Sequence, residues 1–358
     1  MIDLYFILDE AFSLFPGGEN GPRFGGAGLQ LYLAATELSK FEGYEVSWIF
    51  RHSVALLDLE SISHDSIKIL DYHDQESMRK IAQSDSKKVL ISSGGVNASL
   101  VRECSDMLGA RSILRLSSDT DSTSPRDIGK LTKGEVFELY SSMDAVIVQS
   151  EFQKKNLRQN TGINAQVIKN YWPIVQPSEN IVKDEILWVA SAQPLKQPWY
   201  FLDLAQSLPQ EKFVMLMPET CCGDTVDFIK AQAQKIENLA LFPLQIPLGL
   251  IDLFFLRAKL FVNTSETEGF PNTFLQAGAA ATPIATLLVD PDGVVSSRDL
   301  GISSHGDILS FREGVKTLLQ NQKALERCGR NALEYVKGEH GVNSTIAKLA
   351  KIIDEVCR

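Results

Sequence analysis

The stretch "TSETEGFPNTFLQAGAAATPIAT", residues 264–286, sets Glu268 directly before Gly269, Phe270 and Pro271, and follows them with a run of small residues. Strand-like "AKLFVN" leads into it, so the acid falls at the carboxyl end of a strand and ahead of a helix. Pro271 fits a first helical position, where its missing N–H costs nothing. Asn272 and Thr273 add polar side chains to the open helix end, where orphan N–H groups and the helix dipole stabilise a phosphate. Gln276 follows Asn272 by four and Thr273 by three, so all three share a face. Ala277, Gly278, Ala279, Ala280 and Ala281 are small enough for the helix to pack closely on a sheet.

Working outward, short apolar runs alternate with amphipathic segments along the whole chain. Strands are predicted at 2–8, 44–50, 66–71, 88–93, 111–116 and 144–149, with helices at 27–40, 75–84, 97–108, 132–143 and 151–160. "NYWPIVQPSEN", 170–180, interrupts the rhythm with two prolines and reads as a linker. Strands at 185–190, 212–217, 239–242, 259–263 and 283–288 then alternate with helices at 198–207, 224–236, 248–257 and 271–281. Helices at 309–321, 323–336 and 342–357 close the chain. Such alternation predicts parallel sheets covered on both faces. The expectation is two doubly wound α/β domains, 1–175 and 176–358, with the last helix packing back on the first. Ligands of such sheets bind beyond the carboxyl strand ends, which points to the cleft between the domains.

Composition agrees with that class. Of 358 residues, 44% are apolar and 22% charged, and the net charge is −10. Residues 1–180 carry 18 basic and 24 acidic side chains, so not even one half is basic, and a nucleic-acid surface is not expected. No apolar run reaches the ~18 residues that spanning a bilayer requires. Five cysteines, Cys104, Cys221, Cys222, Cys328 and Cys357, show no CxxC spacing and predict reduced thiols and a cytoplasmic location. No His/Cys cluster has the spacing of a structural metal site, and the five histidines form no constellation.

The first strand runs into "DEAFSLFPGGENGPRFGGAGLQ", where Gly17, Gly18, Gly21, Gly25 and Gly26 precede a helix opening near Ala27. Glycines at a helix mouth let backbone N–H groups approach an anion. Glycine richness alone fits a mobile surface loop better. The dinucleotide and P-loop fingerprints are absent from this stretch.

Together these segments resemble the retaining glycosyltransferases of family 4, which have the GT-B fold. The family's hallmark is E-x7-E in an "EGFG…LEA…G.P" context, and "EGFPNTFLQAGAAATPIA" follows it closely. "FGGAGLQLYLAATELSKFEGYEV", "MDAVIVQSEFQKKNLRQNTG", "EILWVASAQPLKQPWYFLDLAQSLPQEKFVMLMP" and "VDPDGVV" extend the resemblance over nearly the whole chain. It implies that Glu268 faces the donor sugar and that Gly269, Phe270, Pro271, Asn272 and Thr273 line the diphosphate. Gly25 and Gly26 belong to the donor-side glycine loop, and Lys196 is the cation that meets the diphosphate. Two positions depart from the pattern. Ser191 stands where an arginine is expected, and Gln276 stands where the second, ribose-gripping glutamate is expected.

The resemblance further implies two Rossmann-like domains and transfer of a hexose from a UDP-sugar, UDP-glucose first. The acceptor is a saccharide or lipid-linked saccharide, in polysaccharide biosynthesis. No cofactor or metal is implied, the protein supplying the cations, with Lys196 and Glu268 as the catalytic pair. On the acceptor side, Arg115, Asp119 and Asp121 of "ILRLSSDTDS" are the polar candidates. Lys154, Lys155 and Arg158 form a basic face that could meet a lipid phosphate, giving at most peripheral membrane contact. Two other readings stay open: a nucleotide-sugar-binding or assembly protein that has lost catalysis, and a sugar-nucleotide epimerase of the same fold.

Overall fold

The computed structural model describes residues 1–16, 18, 24–51, 59, 62–125, 130–174, 181–218 and 223–358. The chain divides into two compact units. The first comprises Met1–Asn170 with Asn343–Arg358, the second Tyr171–Val342. The break thus falls a few residues before the expected one.

In the first unit the strands are β1 (Ile2–Ile7), β2 (Tyr44–Phe50), β3 (Lys68–Asp71), β4 (Lys87–Ser93), β5 (Arg111–Arg115), β6 (Ala145–Val148) and β7 (Gln166–Val167). They pair in the order β3-β2-β1-β4-β5-β6-β7, all parallel. The covering helices are α1 (Gly26–Leu38), α2 (Gln75–Gln83), α3 (Ala98–Leu108), α4 (Asp119–Thr123), α5 (Lys133–Ser141) and α6 (Glu151–Thr161). The second unit repeats the plan with β8 (Glu185–Val189), β9 (Lys212–Leu216), β10 (Leu239–Phe242), β11 (Ala258–Asn263), β12 (Ile284–Thr286) and β13 (Gly301–Ser303). Their order is β10-β9-β8-β11-β12-β13, again parallel throughout. Its helices are α7 (Pro198–Ser207), α8 (Gly223–Ala233), α9 (Leu248–Arg257), α10 (Asn272–Ala279), α11 (Val294–Ser297), α12 (Ile308–Leu319) and α13 (Gln322–Glu339). Helix α14 (Val342–Val356) runs into the first unit, where the Tyr44 hydroxyl donates to Asp354 Oδ1 at 3.0 Å.

The two doubly wound parallel sheets are those the alternation predicts. Their central strands are buried on both faces, which explains the near-continuous apolar runs "FVML" and "LFV". The order reverses between β1 and β4 and between β8 and β11. Loops leaving those neighbours diverge to opposite faces and leave a crevice at the carboxyl ends.

Several short elements lay outside the sequence reading, β7 and α11 among them. Asp9–Leu14, expected as loop, is a short 3-10 helix. Phe15, just beyond it, is buried against Tyr32, Trp48 and Phe50, with ring centroids 5.0, 5.3 and 5.6 Å away. Aromatic anchoring therefore fixes a segment that its glycine-rich continuation made look loose. Gly17, Gly21 and most of the following loop, like Cys221, Cys222 and His52, lie outside the described residues. Strand β13 and helix α4, three and five residues long, are too short to show a period.

Helix α10 corrects the packing expectation. Its small residues bring it against α13 rather than only against the sheet. A Cβ at Gly278 would sit 2.5 Å from Val336 Cγ2 and 2.9 Å from the Ala332 carbonyl oxygen. We expect Gly278→Ala to destabilise the second unit by about 1–3 kcal/mol, the usual effect of overpacking. Thermal unfolding checks this as a lowered transition temperature.

Candidate functional site

Lys196 and Glu268 come from the two loops that leave the switch-point strands β8 and β11. Strand β8 ends at Val189, and the chain reaches Lys196 through the short 3-10 turn Pro194–Lys196. Strand β11 ends at Asn263, and Glu268 follows five residues later. Lys196 Nζ lies 2.6 Å from Glu268 Oε1, and their side chains keep only 17% and 20% of their surface. The two residues assigned to diphosphate and to sugar thus form a half-buried, charge-assisted pair with each other.

A hydrogen-bonded seam holds the loops together. Trp188 Nε1 donates to Thr264 Oγ1 at 2.9 Å, and that hydroxyl donates to the Lys196 carbonyl at 2.7 Å. Trp188 is 1% and Thr264 0% exposed, so each buried polar group finds the partner that burial demands. The Glu266 amide donates to the Leu195 carbonyl at 2.8 Å, and Gln197 Nε2 donates to Glu266 Oε1 at 2.7 Å. Gln197 itself has φ 48°, ψ 50°, a left-handed conformation rare for a residue with a Cβ.

Beyond Glu268 the chain enters α10. Pro271 is the N-cap, with φ −61° and ψ 126°, and Asn272 is the first helical residue, one position later than predicted. No side chain of the cap bonds the open turn. Asn272 and Thr273 are half-buried at that end, and Gly269 and Pro271 are buried. The Phe270 side chain turns inward, 5% exposed, with its ring 4.6 Å from that of His340. Only the backbone of Phe270 is left to face a ligand at the helix mouth. Gln276 is 6% exposed, so it is no solvated surface amide, and its side chain makes no hydrogen bond among the described residues. Ser191 is half-buried in the loop after β8, its carbonyl accepting from the Gln193 amide at 2.8 Å.

The expected residues of the first unit divide. Gly25 is the N-cap of α1 and Gly26 its first residue, both exposed. The Glu10 carboxylate lies beside them, Oε2 being 3.9 Å from where a Gly25 Cβ would stand. Burial, then the charge of Asp9, raises the Glu10 carboxyl above its usual range. An anion at this helix mouth therefore meets an acid as well as the open turn. Arg115, 8% exposed, hydrogen-bonds Asn170 Oδ1. Asp121 Oδ2 accepts from the amides of Ser117 at 2.9 Å, Ser118 at 3.0 Å and Gly95 at 3.3 Å. It closes the capping box of α4, a structural task that consumes its carboxylate. Asp119 Oδ1 accepts from Gln153 Nε2 at 3.0 Å. Asp119 and Asp121 therefore do not converge on one point, and among the described residues no His, Cys, Asp and Glu group is placed to hold a metal ion. On α6, Lys154 lies 3.9 Å from Glu151 Oε2, and Lys155 and Arg158 are exposed.

Sequence reasoning singled out Lys196 and Glu268, which the structure brings together, but missed the seam that joins their loops. Thr264 and Glu266 sit inside the quoted stretch, yet nothing in their spacing announces partners some seventy residues away. Only the "LKQP" proline hints at an unusual backbone at Gln197.

Comparison with known proteins follows this geometry. Residues 176–335 match the family model described as "Glycosyl transferases group 1". No curated protein matches the chain in sequence. Among solved structures, sucrose-phosphate synthase from Thermosynechococcus elongatus is similar over 99% of this chain and 99% of its own, with 13% identity and TM-score 0.78. HepE of Anabaena, solved with UDP and glucose, is similar over 99% of this chain and 100% of its own, with 13% identity and TM-score 0.76. TarM of S. aureus, solved as a mutant with UDP among its ligands, shares 16% identity and TM-score 0.63 over 74% of this chain. The chain spans 55% of the length of TarM. No helix among the described residues is long and apolar enough to cross a membrane. The match to the group 1 glycosyl transferase model thus falls on the second unit, and the chain as a whole has the GT-B fold.

Proposed function

We propose that this protein is a retaining glycosyltransferase that moves a hexose from a UDP-sugar, UDP-glucose in the first instance, to a saccharide or lipid-linked saccharide. The observation that carries the reading is the Lys196–Glu268 pair, held at 2.6 Å where the loops of adjacent switch-point strands meet the open end of α10. Its support from relatives is that HepE, alike over its full length, was solved with UDP-glucose as well as with UDP and glucose.

In this reading the diphosphate takes the Lys196 ammonium and backbone N–H groups of the 269–273 helix mouth, where Pro271 itself offers none. Glu268 then turns to the sugar hydroxyls, and Gln276 meets the ribose, accepting with its oxygen and donating with its NH₂. Donor and acceptor react on one face, and the departing diphosphate takes the acceptor's proton. Orientation and stabilisation of the leaving charge are the protein's main contributions. Acceptor recognition is assigned to the first unit, with Arg115 and Asp119 as its candidates and the α6 cations as a contact for lipid phosphate. The family resemblance favours work in polysaccharide biosynthesis on the cytoplasmic side, without a cofactor.

A panel of UDP-, GDP- and ADP-sugars tests the reading, scored for released nucleotide and for thermal stabilisation. A bound donor at 100 times its dissociation constant adds about 2.7 kcal/mol of stability. We expect the UDP-sugars to respond, and we expect turnover to be unchanged in EDTA. Loss of activity in EDTA that Mn²⁺ restores would contradict the metal-free mechanism. One observation favours a second reading, a binding protein without turnover: Ser191 supplies no second cation, and Lys196 is already engaged by Glu268. Stabilisation by UDP-sugars with no nucleotide release, whatever acceptor is supplied, would select it.

A further inference from the structure

We infer that Gln197 and Glu266 are positioning residues for Lys196, holding its ammonium where the donor diphosphate is received. The inference rests on the donor-site reading above. Gln197 carries a backbone conformation, φ 48° and ψ 50°, that side chains with a Cβ avoid, and Pro198 follows it. A residue before proline is further biased toward extended backbone, so this position is disfavoured twice. Glycine would adopt it without cost, yet the chain has glutamine there.

What the glutamine side chain adds is the bond from its Nε2 to Glu266 Oε1, at 2.7 Å. The other links of the seam run through Lys196 itself and the residue before it. The Lys196 carbonyl accepts from Thr264 Oγ1 at 2.7 Å, and the Leu195 carbonyl accepts from the Glu266 amide at 2.8 Å. Lys196 therefore lies between two anchored neighbours, and its side chain leaves the turn in one direction, toward Glu268. The left-handed turn is what brings the Gln197 amide back onto the β11 loop. Without the tether, the turn keeps its backbone bonds, the Gln197 amide to the Pro194 carbonyl among them, but Gln197 loses its side-chain link to the β11 loop.

Glu266 is exposed, so its carboxylate has no burial cost to offset by pairing, and its bond to Gln197 is a placement rather than a core contact. The tether needs an acceptor at 266, not a charge. This separates its role from that of Glu268, whose charge faces the ammonium directly.

The experiment is calorimetry of UDP with Gln197→Gly, Glu266→Ala, Glu266→Gln, Lys196→Ala and one double variant, each followed also by thermal unfolding. Gln197→Gly fits the left-handed backbone and removes the tether. We expect it to weaken UDP binding by about threefold to tenfold, the range of one lost solvent-exposed hydrogen bond, with an unfolding temperature equal to or above that of the unsubstituted protein. Glu266→Ala is expected to match it in UDP binding, and Glu266→Gln, which still accepts from Gln197, to bind like the unsubstituted protein. Because Gln197 acts through Lys196, the Gln197→Gly/Lys196→Ala double variant should bind no more weakly than Lys196→Ala alone. Undiminished UDP binding by Gln197→Gly overturns the inference while leaving the donor site in place, provided Lys196→Ala does weaken UDP. Full additivity in the double variant, or equal losses for Glu266→Gln and Glu266→Ala, overturns it as well. Should Lys196→Ala bind UDP normally, the donor-site reading itself fails and this inference goes with it.

Discussion

Replacing Lys196 with alanine is expected to lower turnover of a UDP-sugar by at least ~10²-fold, the effect of removing one preorganised electrostatic contact to a developing charge. The size follows from the company Lys196 keeps. Ser191, in the same loop, cannot share the positive charge, and the other partners proposed for the diphosphate are neutral amides at the mouth of α10. In the proposed reading Lys196 is the cation of the site, so its loss leaves the departing diphosphate to backbone dipoles. The variant should fold, because the Lys196 backbone bonds to Thr264 and Gln193 do not involve its side chain. Steady-state kinetics with a verified donor check the prediction, and near-normal turnover would mean that another cation does this work.

Glu268→Ala is expected to abolish transfer for a different reason. Glu268 is proposed to orient the sugar, and a misplaced anomeric carbon forfeits the rate that orientation supplies. Its removal also frees Lys196 from a 2.6 Å ion pair. The ammonium then meets the diphosphate without a competing carboxylate, so UDP itself should bind at least as tightly as before. An assay that separates nucleotide binding from sugar transfer distinguishes this from simple loss of the fold.

The sheets were legible in the sequence because parallel strands buried on both faces leave unmistakable apolar runs. "YEVSWIF" marked the bounds of β2, Tyr44–Phe50, without error. The switch-point position of Lys196 and Glu268 was legible too, through the strand ends they follow. What the sequence hid was long-range and conformational. Nothing in the composition of 264–268 shows that Thr264 reaches a lysine carbonyl, or that Glu266 reaches Gln197. The resemblance places Gln276 at the ribose-gripping position, but its burial at 6% exposure was not to be read from its helix-face spacing. Asp121 looked like a cleft carboxylate, and three backbone amides had already claimed it. Such claims are settled by the turn geometry around a residue, which spacing does not encode.

The central claim is that the Lys196–Glu268 pair is the donor site, divided between diphosphate and sugar. Calorimetric titration of UDP into Lys196→Ala and Glu268→Ala tests it most directly, since UDP carries the diphosphate without the sugar. The account predicts opposite outcomes: UDP affinity falls by roughly tenfold or more in Lys196→Ala, as befits a charge-assisted contact, and is held or raised in Glu268→Ala. Loss of UDP binding in Glu268→Ala, with binding retained in Lys196→Ala, would contradict it.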